Sequence, residues 1–420
     1  MRRVGFPLVV TALMSAAVCR AADDGLGDPL SLASVVAYAR QHNPEIRAAL
    51  ARAGVAAARP AQAGALPDPM IDLAYHDEGF DRLQLGGTEF AFVKVGASQE
   101  VPFPGKLGLK REIATRDAEQ VGAEARHVEA DVIARLKIAY AEYAHLQEQL
   151  DLLHRNRDLL QQLAGGAEAR YAVGEGIQQD VLKAHVELSL LVDRETTLEQ
   201  RRQSETAELN ALLDRAPWEP LGAAEHPVVR SLTRSLQALT DAAHQHAPDL
   251  KMVDWRVAGS ESSLTLAHRE YLPDFVVRAD YMYKSALLPE WEVGVGIKVP
   301  LYYATKQRAA VTEAAAGLAA AEAERDIMRR SVDYRIKDLY LRAQAAERLI
   351  QLYQTTVVPQ AHLALESAVS AYGVGKVDFL TLLNSFTVML EYEMRYHEEL
   401  ANFQKATAEL EAVTGESLEG

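Results

Sequence analysis

From Trp291 to Pro300 the hydrophobic and polar positions alternate without interruption. Trp291, Val293, Val295, Ile297 and Val299 fall on one side of an extended chain, and Glu292, Gly294, Gly296 and Lys298 on the other. The same alternation runs through Phe275–Tyr283, with Phe275, Val277, Ala279, Tyr281 and Tyr283 against Val276, Arg278, Asp280, Met282 and Lys284. Two further stretches in the first half match these. Met70–His76 sets Ile71, Leu73 and Tyr75 against Asp72, Ala74 and His76, and Phe90–Val101 sets Ala91, Val93, Val95, Ala97 and Val101 against Lys94, Gly96, Ser98 and Glu100. A loop holding Gly79, Gly86 and Gly87 joins the first pair. The pattern predicts two β-hairpins, at about 68–101 and about 273–300.

Both hairpins run through proline, Pro102 and Pro300, into helix-period sequence. From about 105 to 172 a seam of Val132, Leu136, Tyr140, Tyr143, Leu146, Leu150 and Leu153 recurs at steps of three and four. At ~1.5 Å per residue such a helix reaches on the order of 100 Å. Gly165-Gly166 is a point where it can loosen, and the turn at Tyr171-Ala-Val-Gly174-Glu-Gly176 reverses the chain into a helix over 178–213. The second half repeats the layout. Its long helix, about 304–372, carries Val332, Ile336, Leu339, Ala343, Ala346, Ile350 and Tyr353 on its seam, with a kink expected at Pro359. Tyr372-Gly-Val-Gly375 matches the first reversal, and a last helix covers 378–413.

Asn43-Pro44-Glu45-Ile46-Arg47 is echoed by Ala247-Pro248-Asp249-Leu250-Lys251, and Leu66-Pro67-Asp68 by Leu272-Pro273-Asp274. The chain therefore divides into a first structural repeat at 23–214, a proline-bearing connector at 215–232, a second repeat at 233–415 and a tail at 416–420. A helix precedes each hairpin. The period, about 200 residues, is far longer than a solenoid unit.

Composition adds little, being 49% hydrophobic and 25% charged over 420 residues. A net charge of −15 supplies no basic face for nucleic acid. The N-terminus says more. Arg2 and Arg3 precede an apolar run from Val4 to Val18, the layout of a secretory signal peptide, here 1–22. Cys19, the only cysteine, is a candidate for lipidation, and no disulfide framework exists. No later apolar run is long enough to cross a bilayer as a helix, so a membrane-spanning mature chain must use strands.

Four strands cannot close a barrel, and open edges are not tolerated in hydrocarbon. An oligomer is therefore required: eight strands from a dimer or twelve from a trimer. Lys94, Glu100, Arg278, Asp280, Glu292 and Lys298 are too bulky and charged for a filled eight-stranded interior, which favours twelve strands around a wet lumen. Tyr75, Phe90, Tyr281, Tyr283 and Trp291 are placed for the aromatic girdles of such a barrel.

At this point the chain resembles the TolC family of outer-membrane efflux proteins, from about Pro29 to Gly415. The resemblance rests on Gln99-Glu-Val-Pro-Phe-Pro-Gly-Lys106, Arg170-Tyr-Ala-Val-Gly-Glu-Gly176, Gln179-Asp-Val-Leu182 and Leu209-Asn-Ala-Leu-Leu-Asp-Arg-Ala-Pro217, within the duplicated layout. It implies an α+β membrane protein of the Gram-negative outer membrane. In it three copies form a twelve-stranded β-barrel above a periplasmic tube of long α-helical hairpins. It implies an exit duct working with a periplasmic adaptor and an inner-membrane pump, expected to be of RND type. The resemblance assigns adaptor docking to Gly174, Gly176 and Gly375. It places the pore constriction near Asp180, Asp378, Thr381 and Asn384, although Thr381 and Asn384 stand where several relatives carry acids. The wording Gly174-Glu-Gly-Ile-Gln-Gln-Asp-Val-Leu182 is similar to heavy-metal efflux members, which points to metal cations as cargo, with drugs or secreted polypeptides as alternatives.

No enzyme is expected. Gly105-Lys106 lacks the first glycine and the Ser/Thr of a phosphate loop, with Glu100 and Leu107 in those places. His244-Gln-His246 diverges on a helix, and no nucleophile, base and orienter come together in any motif, so neither a resident metal nor a cofactor is expected. An exported coiled-coil or adhesive protein would account for the helices but not for four amphipathic strands.

Overall fold

A computed structural model of the chain describes residues 26–27, 29–77, 88–225, 231–285 and 287–418. The leader, Cys19 and the loop glycines Gly79, Gly86 and Gly87 lie outside them. The first repeat opens with α1 (Leu32–His42), α2 (Pro44–Ala57) and α3 (Arg59–Ala63), followed by β1 (Met70–His76) and β2 (Phe92–Val101). It continues with α4 (Lys106–Ala172) and α5 (Gln178–Leu212). The second repeat runs α6 (Leu236–His246), α7 (Pro248–Arg269), β3 (Asp274–Tyr283), β4 (Glu290–Lys298), α8 (Lys306–Leu352), α9 (Val358–Gly373) and α10 (Phe379–Thr414).

Helix α4 passes through Gly165-Gly166 without a break, because its Leu160, Ala164 and Ala167 face pack against α5 and α10 on either side of the glycines. A π-helical turn occupies Tyr353–Val357 directly before Pro359, and the backbone stays helical on both sides of it, from Leu352 through Val358.

The helices form four long rods. Helices α4 and α8–α9 are two of them. The others are stacks of helices distant in sequence. Asn43, buried before α2, accepts from the Glu45 and Ile46 amides at 2.8 and 3.1 Å and donates its own amide to the Leu212 carbonyl ending α5 at 2.8 Å. At the other joint, Gly415 (φ +72°) ends α10 against the start of α7, where a Cβ would lie 2.7 Å from the His246 carbonyl oxygen. The rods lie in the order α5, α4, α10, α8, since α5 packs mainly on α4 and α10 packs on α4, α8 and α9. Lys137–Glu411 at 2.6 Å and the Lys405–Glu142 pair bind the middle two together.

Apolar cores line these seams. Leu146, Leu153, Leu160 and Leu191 meet Phe379, Phe386 and Leu390 toward the tips, while Val332, Ile336 and Ile350 meet Leu400, Phe403 and Leu410 higher up. The sheet has no such core. It is an open antiparallel sheet in the order β1-β2-β3-β4, and its apolar face is bare: Leu73, Trp291 and Val295 are 75, 75 and 69% exposed. Water would not leave that face unpaired with another surface.

Candidate functional site: the polar sheet face and the paired tips

Strand pairing puts the charged positions on one face, with Gln99 the polar residue of β2 on the other. Met70–His76 pairs with Phe92–Ser98, Val93–Val101 with Phe275–Tyr283, and Asp274–Met282 with Glu290–Lys298. Alternation then gathers Lys94, Glu100, Arg278, Asp280, Glu292 and Lys298 on a common face, together with Asp72 and Glu290. Lys298 reaches Glu100 at 3.2 Å, Lys284 reaches Glu290 at 2.7 Å, and Lys94 lies 3.3 Å from Asp280 and 3.9 Å from Asp72.

Tyr75, Phe90, Tyr281, Tyr283 and Trp291 sit at the hairpin-loop end of the sheet, so they make one aromatic band rather than two. The band at the helix end comes from exposed Tyr302 and Tyr303 with Phe275. Sequence reasoning missed it because Tyr302 and Tyr303 lie beyond the alternating segment.

Where sheet meets helices, Lys106 is 2% exposed. Its ammonium donates to the Leu272 carbonyl and Asp274 Oδ1, each at 2.9 Å, and to Glu270 Oε2 at 3.3 Å, which satisfies all three protons. Asp274 Oδ1 also accepts from the Phe103 amide at 2.8 Å. One lysine thus ties the first long helix to the second hairpin.

The two tips are built alike. Gly174 (φ +77°) and Gly375 (φ +71°) take the left-handed conformation that ends α4 and α9, and the following amides, Glu175 and Lys376, bond back to the Arg170 and Ala371 carbonyls at 2.9 Å. Gly176 is held by crowding instead, a Cβ there lying 3.0 Å from the Tyr171 nitrogen. Val173, Val374 and Ile177 are exposed around these turns.

Asp378 caps α10, its carboxylate accepting from the Thr381 amide at 2.9 Å, and hydrogen bonding to the Thr381 side chain, then to that amide, holds it below the usual carboxylate range. Burial, then the nearby negative charge of Asp378, raises the Asp180 carboxyl. Thr381 and Asn384 are both exposed on α10.

A link unforeseen from the sequence joins the tips. Arg170 donates to the Tyr372 carbonyl at 2.6 Å and lays its guanidinium 5.0 Å from the Tyr372 ring centre. Removing it with Arg170→Ala is expected to weaken the tip contact by ~1.5–3 kcal/mol, the range for a hydrogen bond from a charged donor, with the partly exposed setting favouring the lower end. Raised single-channel conductance in planar bilayers is the expected result, and unchanged conductance would show that the tips hold without it.

Among the described residues no helix is long and apolar enough to cross a membrane, and no group of three or more His, Cys, Asp or Glu side chains is arranged to hold a metal ion. His244 and His246 are instead paired with Asp333 at 2.7 Å and Glu416 at 3.3 Å.

A sheet with a bare apolar face, carried on four rods with paired tips, defines a membrane-channel protomer. The sequence profile described as "outer membrane efflux protein" matches residues 35–215 and 239–416, one match per repeat. The chain belongs to the outer membrane efflux protein family, whose members are passive, trimeric outer-membrane channels that work with periplasmic adaptors and inner-membrane pumps.

Solved structures share the fold. The outer membrane protein VceC of Vibrio cholerae is 20% identical, with a TM-score of 0.78 over 92% of this chain and 97% of its own. CusC is 15% identical (TM-score 0.79, 92% of each chain), and the open-state MtrE channel of Neisseria gonorrhoeae is 15% identical (TM-score 0.77, 92% of this chain and 89% of that one). No curated protein matches at comparable stringency.

Proposed function

We propose that this chain is the exit duct of a tripartite efflux system and carries metal cations, received from an RND-type pump through a periplasmic adaptor. The observation that supports it most directly is the sheet itself. Its apolar face needs lipid, and its outer strands β1 and β4 have no partner on their free sides. Three copies joined β4 to β1 close twelve strands and turn the charged face inward.

The outermost rods suit the same assembly, with Leu182, Val186 and Leu190 exposed on α5 and Ile327, Tyr334 and Leu341 exposed on α8. At ~1.5 Å per residue, α4 projects on the order of 100 Å from the barrel into the periplasm. The adaptor docks on the turns at Gly174, Gly176 and Gly375. The pore narrows beside Asp180, Asp378, Thr381 and Asn384 through helix packing, and Lys94, Glu100, Arg278, Asp280, Glu292 and Lys298 line the barrel lumen. A signal peptide within 1–22 exports the chain; cleavage before Cys19 would leave that residue as an acylated N-terminus, whereas cleavage after Ala21 or Ala22 would remove it. Metal as cargo is supported by the likeness of the Gly174–Leu182 segment to heavy-metal efflux members and by the carboxylates of the polar face.

Protein extracted from outer membranes in detergent should have the mass of three copies by light scattering, and a monomer would overturn the assembly. A deletion strain should lose tolerance to transition-metal ions. Lost tolerance to drugs with metal tolerance intact would move the cargo to drugs.

A further inference from the structure

One row of the sheet carries most of the unbalanced charge on the polar face. The register sets Asp72, Gly96, Asp280 and Glu292 side by side across β1, β2, β3 and β4. Gly96 leaves the space between the two aspartates open: a Cβ there would lie 2.4 Å from Asp280 Oδ1 and 2.6 and 2.7 Å from the two Asp72 oxygens. The carboxylates therefore converge over a bare backbone. Lys94, from the adjacent row, reaches into this gap and shares one ammonium between them.

The sharing is incomplete. The Asp280 side chain is 3% exposed, and its Oδ1 is within 3.3 Å of the Lys94 ammonium yet has no hydrogen-bond partner. A carboxylate that buried draws any further positive charge that can reach it. Glu292 is exposed and forms no ion pair among the described residues. Elsewhere on the face, Lys298 cancels Glu100 and Lys284 cancels Glu290, leaving Arg278 in the next row as the one unmatched cation among these residues. With Lys94 counted in, the row keeps two negative charges per chain against that single arginine.

We propose that the Asp72–Asp280–Glu292 row is the charge filter of the barrel, favouring small cations over anions, and that Lys94 sets how strongly. The inference rests on the closed-barrel reading above. Charge in a confined aqueous passage raises the local concentration of the opposite ion, so position in the lumen is what gives these carboxylates their effect. In the assembly the row is repeated three times around one level of the pore. At the tips Thr381 and Asn384 are uncharged but Asp180 and Asp378 are acids, so the row is read through variants that leave those two in place.

The test is the reversal potential of purified protein in planar bilayers under a KCl gradient. The wild type should pass K⁺ in preference to Cl⁻. E292Q should lower the permeability ratio and K94Q should raise it, each by about two- to threefold, and D72N/D280N/E292Q should lower it further than E292Q alone. The preference should shrink between ~0.1 M and ~1 M salt, as the screening length falls from about 10 to about 3 Å. Conducting E292Q and K94Q channels with the wild-type ratio would overturn the filter. Since the Glu292 side chain forms no ion pair, E292Q decides the matter even where the triple variant does not assemble. Protein that passes no current either as wild type or with Arg170→Ala to release the tips would instead sink the channel reading, and the filter with it.

Discussion

Lys106→Met is expected to destabilise the assembled channel by about 3–5 kcal/mol per copy, the cost of removing one partner from a buried ion pair. The ammonium is almost wholly covered, and Asp274, 17% exposed at its side chain, is its main counter-charge. Methionine fills the same volume but leaves the Asp274 carboxylate with only the Phe103 amide, and the Leu272 carbonyl with no donor from this site. Glu270 is 40% exposed and is rescued by water, so little of the loss comes from that pair. The check is the thermal midpoint of the trimer, read as the temperature at which unboiled protein runs as monomer on denaturing gels. A midpoint within a degree or two of wild type would show that the joint between sheet and helix is held by other contacts.

Val295→Arg should be as damaging by a different route. Val295 sits near the middle of β4 on the bare apolar face, and a guanidinium at the bilayer midplane costs ~2–4 kcal/mol, incurred three times in a trimer. The expected outcome is a sharp drop in protein recovered from the outer-membrane fraction. Glu292→Arg, on the same strand but the opposite face, should assemble normally. Equal yields from the two variants would mean that the faces are not divided between lipid and water.

The faces of the strands could be read from sequence because side-chain alternation is a local property of an extended chain. The positions of the reversals were legible for a similar reason, since Gly174 and Gly375 each supply a backbone conformation that other residues resist. The contacts that join the two halves were not. Lys106 finds its acceptors 164 to 168 positions away, and Arg170 finds Tyr372 at a separation of 202. No periodicity encodes such pairs. The row containing Asp72, Gly96, Asp280 and Glu292 was hidden in the same way, because it depends on the register between β2 and β3, and a one-residue slip would have dissolved it. Pro359 marked an irregularity in the second long helix, because proline lacks the N–H that would continue the ladder, but the π turn just before it at Tyr353–Val357 has no such residue signal.

That π turn lies where the spacing between the two repeats changes by one residue. Between the long helices of the two repeats, buried positions correspond at an offset of 200 from Val132 and Val332 through Leu150 and Ile350, and at 201 from Leu160 and Ala361 through Ala167 and Ala368. The π turn at Tyr353–Val357 falls between the two regimes. A π turn is the way a helix holds one extra residue without rotating its later turns out of the seam. The second long helix thus carries one residue more than the first between these positions and absorbs it locally, keeping Ala361, Leu365 and Ala368 in the apolar seam at the tips.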